Sequence, residues 1–181
     1  MNKLFINLTL ISISLLLSCT DPNSTEEMNW SDFPEIIEVV NGPAYRQFTE
    51  DFNHFINELD RTRKDLLTTY IERALQKPLT LSASCNCDNG DRSCSASGWF
   101  SDCCICCSSS RAAVCGTYFG IASCRCEDLP QPRLQNEGDI TGVSKVMVYP
   151  QNIAKFIKQA NNYGINTVEI QSSFLDFIKS I

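Results

Sequence analysis

Ten cysteines fall between Cys85 and Cys126, at positions 85, 87, 94, 103, 104, 106, 107, 115, 124 and 126. So dense a run leaves two chemistries open: a disulfide framework, or reduced thiolates gathered around soft metal ions. The choice depends on where the chain lives, and the N-terminus speaks to that.

Residues 1–18 carry a lone cation, Lys3, then an apolar stretch from Leu4 to Leu17. A stretch that short suits the h-region of a signal peptide better than a bilayer span, which needs about 20 residues. It ends in Leu16-Leu17-Ser18-Cys19, which resembles the lipobox of bacterial lipoproteins, although Leu17 is bulkier than is usual at its position. The resemblance implies cleavage before Cys19 and acylation of the Cys19 thiol, with a membrane as partner through the lipid. It implies a bacterial cell envelope location, at the outer membrane or cell surface. It covers about twenty residues and is silent on the fold. Residues 20–34, polar, acidic and interrupted by Pro22 and Pro34, read as a flexible tether, Asn23-Ser24-Thr25 being part of that linker.

The pairs Cys85-x-Cys87, Cys103-Cys104, Cys106-Cys107 and Cys124-x-Cys126 are similar to those of metallothioneins, which implies a Cu(I)- or Zn(II)-binding envelope protein as the alternative. Three features favour disulfides and no metal or other cofactor. An exported chain meets an oxidising compartment. Trp99, Phe100, Tyr118 and Phe119 belong to a packed fold. The block has no Lys, and Arg92, Arg111 and Arg125 only balance Asp88, Asp91 and Asp102.

From Thr80 the pattern alternates as strands do, and Asn89-Gly90 between alternating runs signals a type I′ hairpin. That turn would set Cys85 opposite Cys94 at a non-hydrogen-bonded site, the expected disulfide pair. A strand at 103–107 would put Cys103, Ile105 and Cys107 on one face, with Cys104 and Cys106 on the other, stapled on both sides. Partners for Cys87, Cys103, Cys104, Cys106, Cys107, Cys115, Cys124 and Cys126 stay open. Gly116 and Gly120 flank Thr117-Tyr118-Phe119 at a spacing ordinary for a twisted or bulged strand.

Before this block, Pro43 opens a helical stripe of Tyr45, Phe48, Phe52, Phe55, Ile56, Leu59, Leu66, Tyr70, Ile71 and Ala74, a helix of roughly thirty residues ending before Pro78. His54 lies on its charged side between Glu50 and Glu58, the place of a solvated residue rather than a base. After the block, the reading is a strand at 143–149, a helix from Pro150 to Gly164, a strand at 165–170 and a short final helix. That order permits a parallel pair by crossover. The expected fold class is α+β: one domain over 35–181 with a Cys-rich β insert at 80–126.

A formal net charge of −6 argues against nucleic-acid partners, which demand a positive field. The single His and the lack of any nucleophile, zinc or phosphate-loop motif leave no catalytic constellation. The expected function is a non-catalytic lipoprotein with a disulfide-stabilised head that binds a protein, a glycan or another envelope component. Oligomeric state is not legible.

Overall fold

The computed structural model describes residues 30–76, 83, 85–87, 91–129 and 144–181. The expected leader, Cys19 and the expected Asn89-Gly90 turn lie outside these residues. The fold is mixed α and β with antiparallel sheets.

Strand β1 (Ile37–Val40) leads into helix α1 (Pro43–Glu58), with Pro43 in the first turn as expected. The long helix does not continue. Leu59 turns extended, and Asp60 accepts a hydrogen bond from Arg63 N–H at 2.9 Å to cap a second helix, α2 (Arg61–Ala74). An aspartate carboxylate, which accepts from an orphan N–H, serves better at a helix start than inside a helix. The apolar spacing runs on across the break, so periodicity alone misses it. Leu66, assigned to the stripe, is instead 43% exposed, and Ala74 is exposed too.

Four strands follow in the block: β2 (Arg92–Ser97), β3 (Ser101–Cys107), β4 (Arg111–Tyr118) and β5 (Ile121–Asp128). Then come β6 (Ser144–Val148), α3 (Pro150–Asn162) and α4 (Val168–Lys179). The expected strand at 165–170 is absent: Gly164 ends α3 at φ 71°, and Thr167 O accepts from Gln171 N–H at 3.0 Å as the next helix starts. β6 pairs antiparallel with both β1 and β3, so no parallel crossover forms.

One sheet has the order β1-β6-β3-β2 and the other is the β4-β5 hairpin. The hairpin lies against the β2-β3 half of the larger sheet. Its turn is Phe119-Gly120, with φ 45° and 88°; positive φ at both positions matches the right-handed twist of the flanking strands. The β2-β3 turn sits directly on it. Phe100 N–H donates to Gly120 O at 2.8 Å, and a Cβ on Gly98 would lie 2.1 Å from that same oxygen. Only glycine fits there.

An aromatic cluster joins helices to sheets. Phe52 packs against Phe48, Phe55, Phe100 and Phe156, with ring centroids 5.4 to 6.5 Å apart. Trp30 and Phe33, inside the expected tether, also pack: Trp30 stacks on Phe174 at 5.3 Å, and Gln151 Nε2 donates to Trp30 O and Phe33 O. Residues ahead of 35 therefore belong to the packed fold. Two large rings bury enough apolar surface to offset the cost of ordering this short piece.

Candidate functional site

All ten cysteines of the block are bridged: Cys85–Cys104, Cys87–Cys106, Cys94–Cys115, Cys103–Cys124 and Cys107–Cys126. The expected Cys85–Cys94 bond is not made. β2 pairs with β3, Arg92 opposite Cys107 through Ser97 opposite Asp102, and Cys85 bonds Cys104 of β3. In that register Cys94 lies opposite Ile105 and shares the inner face with Cys103 and Cys107. It meets Cys115 of β4.

The two-faced stapling of β3 does appear. Cys103 and Cys107 bond down to β5, while Cys104 and Cys106 bond to Cys104's partner Cys85 and to Cys87, in a segment that runs over the opposite face. All seven residues of β3 are buried in consequence. Three bridges thus tie the two sheets together, and two more tie a covering segment to the central strand.

The Sγ atoms of Cys94, Cys115 and Cys124 lie within 4.8 Å of one another. This is where two bridges, Cys94–Cys115 and Cys103–Cys124, stack. A bridged sulfur carries no thiolate charge, so this constellation offers a soft metal little unless it is first reduced.

At the stacked hairpin tips sits a buried polar network that sequence reading passed over. The Tyr45 hydroxyl donates to Ala122 O at 2.6 Å, which uses its one hydrogen. The Ser101 hydroxyl, 2.7 Å away, therefore donates to the Tyr45 oxygen and itself accepts from Ala122 N–H at 3.0 Å. Beside it, Asp102 Oδ1 accepts from the Ser97 hydroxyl at 2.6 Å and from Gly98 N–H at 3.1 Å. Asn152 Nδ2 donates to Trp99 O at 2.7 Å and to Gln76 O at 3.1 Å, fastening α3 to the same tip. These groups hold the hairpins in place; Tyr45, Ser101, Asp102 and Asn152 are buried, while Ser97 is exposed. Exposed His54 lies 3.8 Å from Glu58, in the solvated setting expected.

Burial holds the Tyr45 and Tyr149 phenols well above the ordinary 10.0, and the charge of Asp102 pushes both further up. The Ser101 hydrogen bond offsets part of the rise at Tyr45. An unfolded phenol loses its proton near 10.0 while the folded one keeps it. The unfolded state then binds fewer protons, so stability falls as pH rises past that value. Denaturant midpoints measured across the alkaline range should show this decline, and Tyr45→Phe should make it shallower. At neutral pH the same variant should cost about 1–3 kcal/mol, because Ala122 O and the Ser101 hydroxyl each lose a partner. An unaltered alkaline slope would show that Tyr45 does not carry it.

Among the described residues, a groove opens to solvent. Val114, Gly116 and Tyr118 alternate along the face of β4 turned away from β2, beside Ser123 and Arg125 of β5. With Asn53 of α1 they line a groove of about 280 Å³. The Tyr118 hydroxyl donates to Asn57 Oδ1 at 2.6 Å, one helical turn from Asn53. Asn53 Oδ1 is buried and has no partner among the described residues. Arg125 is matched by Glu127, to which its Nε donates at 2.7 Å. Gly116 pairs in regular register opposite Ser123, without the bulge its spacing allows.

No protein family model, curated protein or solved structure matches this chain.

Proposed function

We propose that this chain is an exported bacterial envelope lipoprotein, acylated at Cys19, whose disulfide-stapled head works by binding rather than by catalysis. The observation that carries the reading is the pairing of all ten block cysteines into five bridges. Such a framework forms and persists in oxidising compartments, beyond the inner membrane of a bacterial cell. The lipobox-like Leu16–Cys19 agrees with export. No helix of the described residues is long and apolar enough to cross a membrane. The lipid on Cys19 would supply the attachment, since each buried CH₂ adds about 0.8 kcal/mol. Cys19 precedes the docked Trp30 by eleven positions, a reach of at most roughly 38 Å if extended. The head would stand close to the membrane surface.

Two measurements on protein made by export test this reading. Cys19→Ser should release the chain into a soluble fraction or leave its signal uncut; a processed variant that still sediments with membranes overturns the anchor. Thiol titration with elemental analysis should find no reactive thiol and no bound metal in the mature, acylated form. Free thiols together with stoichiometric zinc or copper would instead establish the thiolate metal-binding alternative.

A further inference from the structure

Gly116 sits mid-strand where nothing among the described residues requires a glycine. Its φ is not among the positive ones, its pairing is regular, and a Cβ built on it meets no described residue within 4 Å. A glycine inside a strand weakens it, and one that no turn or bulge demands often sits where a ligand or another backbone approaches closely. Here it leaves bare backbone as the floor of the groove between Tyr118 and Val114, whose Cα atoms stand four residues apart, roughly 13 Å.

The walls say what could lie on that floor. Tyr118 is 46% exposed, yet its hydroxyl is fixed by Asn57, so the ring is presented at a set angle. Such a ring stacks on an apolar, CH-rich face. Ser123 supplies a hydroxyl, and Asn53 lines the groove beside it. The charge of Arg125 is answered by Glu127, so the groove has no standing preference for an ion. An uncharged ligand with hydroxyls around an apolar ring face fits these demands.

We propose that the groove over Gly116 binds a neutral saccharide, one or two sugar units of an envelope glycan. The proposal rests on the reading of the head as an envelope binding module, and it names the site and ligand class.

The test uses full-length protein extracted from membranes in a sugar-free phosphocholine detergent. Saturation-transfer NMR is recorded with two neutral probes, an N-acetylglucosamine trimer and a glucose trimer. Transfer to at least one is expected, and Gly116→Val should weaken it about tenfold or more. The melting temperature should hold or rise, because valine suits a strand and enters open space. Tyr118→Ala should weaken binding likewise, through loss of the stacking ring, and serves if the valine variant fails to fold. Transfer to the amino-sugar trimer alone would point to a peptidoglycan-type source, and transfer to both to glycans more broadly. No transfer to either probe overturns the proposal, as does unchanged binding in the variants. Sugar binding by a protein that proves not to be lipid-anchored would leave the site standing while the anchor reading falls.

Discussion

Phe52→Asp should lower the melting temperature by about 10–20 °C, if the chain still folds at all. Phe52 has no exposed surface and touches four other rings, from α1, the β2-β3 turn and α3. Removing a buried Phe side chain alone costs about 3–5 kcal/mol. The new carboxylate has no cation among those rings, so burying it adds a further penalty or forces it to stay protonated. Together these approach the 5–15 kcal/mol that holds a typical domain together. Near-ultraviolet circular dichroism followed through a thermal ramp reads the effect directly. Five bridges survive the substitution, so the Cys-rich half should stay compact while the aromatic signal of the helix–sheet junction is lost. An unchanged melt would mean that the α1 stripe faces a partner rather than its own sheet.

How much of this was legible in the sequence differs from element to element, for physical reasons. The stripe from Tyr45 to Ile56 was readable because one buried face repeats at the helical period. The α3 boundaries were readable from Pro150 and Gly164, whose backbone restrictions are local. The two faces of β3 followed from alternation alone. What failed was everything that depends on which segments meet. Asn89-Gly90 is the stronger local turn signal, but the pairing of β2 with β3 is made through Gly98-Trp99-Phe100, whose need for glycine comes from the distant Gly120 oxygen. Residues 165–170 could pass for a strand by composition; the docking of Ile170 and Phe174 in the helical core decides otherwise. The groove was invisible for the same reason. Gly116 reads as an ordinary strand glycine until Asn53 and Asn57 are brought beside it from sixty residues away.

The bridges allow a prediction that separates chain entropy from packing. Their five sequence separations are 19, 19, 21, 21 and 19, so the loop-closure contribution is nearly the same for each. In the chain-entropy model that contribution is about 3 kcal/mol per bridge. Differences among double alanine variants should therefore report burial. Cys103 and Cys124 are 0% and 2% exposed and join β3 to β5 inside the core, whereas Cys94 and Cys115 are only half-buried. Cys103→Ala with Cys124→Ala should cost about 4–5 kcal/mol, the top of the usual range, because lost sulfur contacts and a residual cavity add to the entropy. Cys94→Ala with Cys115→Ala should cost closer to 2–3 kcal/mol. Guanidinium unfolding of each variant, after non-reducing peptide mapping shows the other four bridges intact, gives the comparison. Equal costs would mean that the sulfur stack between the sheets contributes only its cross-links. A larger cost at Cys94–Cys115 would mean that the β2-β4 seam, not the β3-β5 one, holds the two sheets together.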